Sequence, residues 1–285
     1  MNIAVTFLPR REPTPLPPIA FIGGGNMASA IIGGLIKQDV SPEAIEVVEP
    51  FAEARAKLAH DFGITAQAEA GSALGRCEVV VWAVKPQSFA EAAKPVRGLA
   101  PDALHLSVAA GIPSDSIVRW LGTESVVRAM PNTPALVGQG MTGLFAREAV
   151  DSGGRKLVEQ VLSPTGDLIW VDAEGALDAV TAISGSGPAY VFYFIEAMTE
   201  AGVDLGLTPE QAHQLAVGTF TGASALASSA TEPPAVLRER VTSKGGTTYA
   251  AITAMESADI KAKFKSAIHA AHQRAAELGQ EFGRG

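Results

Sequence analysis

From Ile19 onward, short apolar runs alternate with amphipathic stretches. Ile19 to Ile22 ends in three glycines, and a helical pattern follows over Asn26 to Lys37. Ile45 to Val48 precedes a second helical pattern from about Phe51 to Asp61. The run Val79 to Val84, strongly β-branched, reads as a third strand, with further strands at Leu104 to Val108 and Val126 to Arg128 and a helix from Pro113 to Leu121. These runs are apolar at successive rather than alternate positions. Such strands bury both faces, so the pattern predicts a parallel sheet covered by helices on each side.

After about Asp172 the strands stop and long Ala-rich helical stretches take over: Ala189 to Ala201, Pro209 to Ser228, Pro234 to Val241 and Ala258 to Leu278. The expected organisation is an extended tail over 1–18, an α/β unit over 19–173 and an all-helical unit over 174–285. Small residues on the helical faces let helices approach closely, which suits a subunit interface, although Ala also has high helix propensity.

Composition narrows the classes. Only 18% of residues are charged and 47% are apolar, which hints that some surface is covered in an assembly. The net charge is −8 with no dense basic run, so neither nucleic acid nor an anionic membrane is an expected partner. Cys77 is alone, which excludes an intrachain disulfide and a thiolate metal cluster and fits a reducing, cytoplasmic setting. The N-terminal stretch fails as a signal peptide, and no apolar run reaches the roughly 20 residues of a membrane helix.

The first chemical motif is Gly23-Gly24-Gly25-Asn26-Met27-Ala28, a G-x-G-x-x-A run placed between a strand ending at Ile22 and a helix. That context is what a dinucleotide turn needs: Gly23 for the tight turn, Gly25 for close approach of the pyrophosphate, Ala28 for helix-on-strand packing. The helix start offers unpaired N–H groups and a positive dipole end. A Gly-rich turn without a ligand is the plainer alternative. Glu49, closing the second strand, can accept hydrogen bonds from the adenosine ribose and repels a 2′-phosphate, so it favours NADH over NADPH; Arg55, a helical turn further, softens that repulsion. Ala83, Val84, Lys85 and Pro86 sit at the carboxyl end of the third strand, beside the ligand crevice. Lys85 is open to three readings: catalytic acid, phosphate contact or solvated strand-end charge. Ala109, Ala110 and Gly111, ending the next strand, are small enough to leave room for a flat ring.

Three later segments are more specific: Met130-Pro131-Asn132-Thr133-Pro134, Ser184-Gly185-Ser186-Gly187-Pro188-Ala189-Tyr190, and Val241 to Thr248 with its S-x-G-G-x-T core. Singly, the last two read as helix starts with Ser, Thr and Pro as caps. Together with the glycine turn and Ala83 to Gln87, in this order and spacing, they closely resemble the pyrroline-5-carboxylate reductases over about Ile19 to Leu278. The resemblance implies a Rossmann-type dinucleotide-binding domain followed by an all-helical domain through which subunits intertwine as dimers, with larger assemblies common. It implies the reduction of 1-pyrroline-5-carboxylate to L-proline by NADH or NADPH. It also implies a substrate site at the domain junction, with Ser243, Gly245, Gly246 and Thr247 holding the substrate carboxylate and Thr248 against the ring nitrogen.

The residues make chemical sense of that. A glycine-containing run before a helix presents backbone N–H groups to an anion. Thr248 can donate its hydroxyl hydrogen bond to nitrogen or orient a water that does. A protonated imine is already electrophilic, so positioning supplies most of the acceleration and no His–Asp pair is required. Two departures stand out. Relatives often carry a non-acidic residue at the place of Glu49, and many carry Asn where Ala70 stands. Asn132 is expected to fix a loop near the nicotinamide, and Ser184 and Gly187 to serve at the domain junction. Of the five histidines only His269 and His272 are close, and they read as a solvated helix face rather than a metal site. Rival readings are a β-hydroxyacid dehydrogenase, which needs a catalytic Lys set in a helix where Lys244 is followed by two glycines, and an inactive nucleotide sensor.

Overall fold

The structure is a computed structural model and describes residues 16–283. Most of the expected N-terminal tail therefore lies outside the described residues.

Among the described residues, seven strands form one sheet in the order β2-β1-β3-β4-β5-β6-β7. They are β1 (Ile19–Ile22), β2 (Ile45–Val48), β3 (Val79–Trp82), β4 (Leu104–Ser107), β5 (Val126–Met130), β6 (Gly140–Ala146) and β7 (Gly166–Trp170). The first five are parallel. β6 turns back antiparallel to β5, and β7 runs parallel to β6. The parallel five are the apolar runs of the sequence. β6 and β7 had no such signal: Gly140, Thr142 and Gly143 interrupt the apolar positions of one, and Gly166 and Asp167 open the other.

Every residue of β1, β3 and β4 is buried. Successive residues go to opposite cores, as a pleated strand requires. Ile19, Phe21, Val79 and Val81 pack beneath α1 (Asn26–Lys37), α2 (Ala52–Phe62) and α5 (Ser152–Leu162). Ala20, Ile22, Val80 and Trp82 pack beneath α3 (Phe89–Val96) and α4 (Ser114–Leu121). In this second core Trp82 stacks on Phe89 with ring centroids 4.7 Å apart.

Beyond β7 come α6 (Ala176–Val180), a π-helical turn Thr181–Gly185, α7 (Gly187–Asp204), α8 (Pro209–Ser229), α9 (Pro234–Arg240), α10 (Thr247–Ser257) and α11 (Ile260–Phe282). A capping box between Thr208 and Gln211 starts α8. At Gly202 a Cβ would lie 2.7 Å from Ala212 Cβ, so α7 and α8 touch through small residues. The Glu174 carboxylate ties this half to the sheet. It accepts from Ser114 N (2.6 Å) and Ser114 Oγ (2.8 Å) at the start of α4 and from Arg128 Nη1 on β5 (2.7 Å). The helical half otherwise buries little of itself. No residue of α7, α9 or α10 is buried, and Phe192, Tyr193, Leu215, Leu226 and Met255 are exposed. An apolar surface of that extent marks a contact with another protein surface. Among the described residues, no helix is long and apolar enough to cross a membrane.

His105 is buried in β4 and accepts the Trp82 indole N–H at 3.0 Å through Nδ1. Burial pushes its pKa down to about 4. The unfolded chain takes up this proton near pH 6.5, the folded chain only near 4, so stability present above 6.5 is lost as pH falls toward 4. The full difference is about 3 kcal/mol. His105→Asn, which keeps an acceptor for Trp82, should lose less stability than wild type between pH 7 and pH 4 in urea unfolding. Equal losses in the two proteins would remove His105 as the source.

Candidate active site

The crevice opens where the strand order reverses. β1 leads through α1 to β2 on one side, and α2 carries the chain across to β3 on the other, so the chain leaving β1 and the chain leaving β3 turn to opposite faces of the sheet. Gly23 makes the turn there with φ +96°, and its N–H donates to Val48 O at 2.8 Å. A Cβ at Gly23 would lie 2.6 Å from Ala83 O, so only glycine fits between the ends of β2 and β3. Gly25 begins α1 in extended conformation, with no side chain capping the helix and no acidic residue in its first turn. A Cβ at Gly25 would meet nothing within 4 Å. The helix start thus faces open space, flanked by exposed Asn26 and half-buried Met27, while Ala28 is wholly buried against the sheet. An uncapped, positively polarised helix start beside a cradle free of side chains fits a dinucleotide pyrophosphate.

Glu49 is turned more inward than its position in the sequence shows. It is only 6% exposed, its Oε2 accepts from Gly24 N at 2.8 Å and its Oε1 from Phe51 N at 2.9 Å. The carboxylate therefore also holds the glycine turn in place. Arg55 Nη1 donates to the carbonyls of Glu49 (2.9 Å) and Pro50 (2.7 Å), which keeps a guanidinium against the strand end.

β3 ends at Trp82, two residues earlier than the apolar run, so Ala83 and Val84 already belong to the loop. Ala83 N–H donates to Ile22 O at 2.9 Å. Lys85 is exposed and precedes a single 3-10 turn at Pro86–Ser88. After β4, Ala109 is buried, Ala110 exposed and Gly111 left-handed with φ +74°. Because β1, β3 and β4 are neighbours, these loops form one edge running from the glycine turn away from β2.

Asn132 joins the two halves of the chain. Its Nδ2 donates to Ser184 O at 3.0 Å and its Oδ1 accepts from Met141 N at 2.9 Å. Ser184 lies in the π-helical turn, the one irregular stretch between α6 and α7 and a feature often found at functional sites. Gly185 in that turn has Met130 Cε 2.6 Å from where a Cβ would be. Beside it is a cavity of about 470 Å³, lined among others by Asn132, Ser184, Pro188, Tyr190, Phe264 and Ile268. Tyr190 meets Phe264 edge-on at 5.6 Å.

The loop from Ser243 to Thr248 repeats the design of the glycine turn. Gly245 is left-handed with φ +77°, and Gly246 begins α10 in extended conformation without a side-chain cap. Gly246 N–H donates to Ser243 O at 2.9 Å. Ser243, Gly245 and Thr247 are exposed and Thr248 is half-buried. Among the described residues, no hydrogen bond or ion pair joins this loop to the sheet. Within one chain, then, the loops after β1, β3 and β4 share one edge of the sheet, and no hydrogen bond among the described residues ties the Ser243–Thr248 loop to it. His269 and His272 are exposed on α11.

A doubly wound sheet with an open glycine turn at its switch point is the architecture of a dinucleotide-binding protein, and the matches to known proteins make it a nicotinamide-dependent oxidoreductase. Residues 18–111 match a family described as NADP oxidoreductase, coenzyme F420-dependent, and residues 174–278 match the pyrroline-5-carboxylate reductase dimerisation family. The chain is 46% identical over 270 residues to the pyrroline-5-carboxylate reductase of Pseudomonas aeruginosa, covering 94% of this chain and 99% of that one. It is 42% identical to that of Haemophilus influenzae, covering 91% and 97%. Among solved structures, the pyrroline-5-carboxylate reductase of Coxiella burnetii superposes with a TM-score of 0.87 at 39% identity, covering 92% and 98%. The Plasmodium falciparum pyrroline carboxylate reductase, solved with NADP bound, gives 0.82 at 27%, with the same coverage. This chain belongs to the pyrroline-5-carboxylate reductase family.

Gly25→Asp separates the cradle from the fold. Space at Cβ is free and Asp is a favoured helix cap, so stability should hold or rise by up to about 1 kcal/mol. Nucleotide affinity should fall by roughly 100-fold or more, because the carboxylate occupies and repels the pyrophosphate position. Calorimetric titration with NADH and NADPH checks this; unchanged affinity would move the pyrophosphate elsewhere.

Proposed function

We propose that this chain reduces the cyclic imine 1-pyrroline-5-carboxylate to L-proline at the expense of NADH or NADPH, the last step of proline biosynthesis. The observation that carries the reading is the pair of matched helix starts. Gly25 opens α1 and Gly246 opens α10, each extended and uncapped, each with a left-handed glycine close by. One suits a pyrophosphate and the other a carboxylate, the two anions this reaction must hold.

The glycine turn, with Ile22, Gly23, Gly25, Asn26 and Met27, takes the pyrophosphate. Glu49 stands at the adenosine ribose, and Ala83 to Pro86 with Ala109 to Gly111 form the nicotinamide side of the edge. Bound there, the nicotinamide supplies the hydride. Ser243, Gly245, Gly246 and Thr247 grip the substrate carboxylate, and the Thr248 hydroxyl donates to the ring nitrogen or holds a water that does. We take residues 19–173 as the nucleotide-binding unit and 174–285 as the substrate and dimerisation unit. The working unit is a homodimer, with dimers able to assemble further. The exposed helical faces supply the contact, and self-association brings the Ser243–Thr248 loop against a nicotinamide edge. A reducing cytoplasm is the setting we take for it, which the lone buried cysteine fits. NADH is the favoured cofactor on the charge of Glu49, with Arg55 alongside to temper the discrimination against a 2′-phosphate.

Thr248→Ala should lower kcat about 10- to 100-fold, as loss of one hydrogen bond made in the transition state predicts, while Thr248→Ser keeps most of the rate. Wild-type turnover in the Ala variant would remove the proton-donor role.

Glu49→Ser should raise the ratio of kcat/KM for NADPH over that for NADH. It should also weaken both cofactors, since Gly24 N–H loses its acceptor. An unchanged ratio would defeat the ribose assignment.

A further inference from the structure

The last turn of α11 returns from the helical half and closes on the loop after β4. A Cβ at Gly111 would lie 3.2 Å from Phe282 Cδ2 and 3.4 Å from Leu278 Cβ, so the ring and the helix sit directly on the glycine. Phe282 joins the core that contains Ala109 and Ile112. The next residue is held as well: a Cβ at Gly283 would lie 3.0 Å from Pro113 Cγ. Gly283 O accepts from Ser116 Oγ (3.0 Å) and from Arg119 Nη2 (2.8 Å) on α4. The far end of the same helix carries Phe264 and Ile268 into the cavity lined by Asn132 and Tyr190. At 1.5 Å per residue, the 23-residue α11 spans roughly 34 Å as a single rod.

Gly111 is left-handed, and its neighbours are the small Ala109 and Ala110. Such a loop has no bulky side chain of its own to fix its course. Glycine is also the residue that loses most conformational freedom on being fixed. At its start Ala109 N–H donates to Ser107 Oγ at 3.3 Å, and at Gly111 the Phe282 ring and Leu278 pack directly on the backbone. The loop lies two strands from the glycine turn, on the side away from β2. If the pyrophosphate sits at the turn and the adenosine at β2, the loop falls to the nicotinamide half.

We infer that Phe282 is a positioning residue for the nicotinamide, acting through Gly111, and that α11 links the cavity beside Asn132 to the nicotinamide loop. This rests on the reading that Ala109 to Gly111 face the cofactor. The test is equilibrium titration of purified full-length protein with NADH and, separately, with ADP-ribose, which lacks the nicotinamide. Phe282→Ala should weaken NADH about tenfold and leave ADP-ribose within about twofold of wild type, since about 1.4 kcal/mol of ordering is moved onto the nicotinamide end. Equal weakening of both ligands, or of neither, would overturn the inference. Should the Ala variant not fold, Phe282→Leu carries the same comparison, with a NADH-to-ADP-ribose shift of about twofold or more expected from partial loss of the contact; an unchanged ratio overturns it. Ala110→Asp is the control for the underlying reading. If it leaves NADH binding unchanged, the loop does not face the cofactor and that reading fails with the inference. If it weakens NADH while Phe282→Ala does not, the reading stands and only the role of Phe282 falls.

Discussion

The turn at Gly23 sits where the carboxyl ends of β1, β2 and β3 come together, and the rest of the site takes its position from that meeting. Its N–H is bound to Val48 O, and its Cα lies so near Ala83 that a methyl group would come within 2.6 Å of that carbonyl. Pinning the turn on both sides aims the start of α1 into the crevice rather than back over the sheet. The Glu49 carboxylate adds a third restraint through Gly24 N–H. A preorganised helix start costs little to order when an anion arrives.

The second anion site follows the same physics with different surroundings. At α10 the glycines are as permissive and the helix start as bare, yet the loop is largely exposed, and among the described residues no hydrogen bond ties it to the sheet. A loop of that kind is incomplete until something closes over it. Phe192, Tyr193 and Leu226 on the unburied helices face outward as well, and the self-association we propose would cover them and finish the site together. Rigidity where the cofactor sits and completion by association where the substrate sits would make catalysis depend on assembly.

Much of this was legible in the residues. β1 and β3 announced themselves because strands buried on both faces are apolar throughout, β2, β4 and β5 kept enough apolar positions around Glu46, His105 and Arg128 to follow, and α1 was bounded by the glycine turn and Lys37. β6 and β7 were hidden, since an antiparallel return strand near the sheet's edge tolerates Gly140, Gly143 and Asp167. The glycine loops at Gly23 and Gly245 were visible as glycine spacing ahead of helices. The direction of Glu49 was not, because nothing local shows that a strand-end carboxylate will reach the amide of Gly24, 25 residues earlier. Nor was the contact of Phe282 with Gly111, which depends on a long helix returning across the domain boundary. Sequence patterns report periodicity and turn chemistry; contacts between distant elements exist only after folding.

The central claim is that the two anion sites serve a nicotinamide and a cyclic imino acid in one reaction. The most direct measurement mixes the purified protein with 1-pyrroline-5-carboxylate and follows oxidation of NADH and of NADPH in separate experiments, with proline identified as product. Oxidation that requires the imine and yields proline in equal amount, faster with NADH, is the expected result. Cofactor that binds but is not oxidised in the presence of the imine would contradict the account.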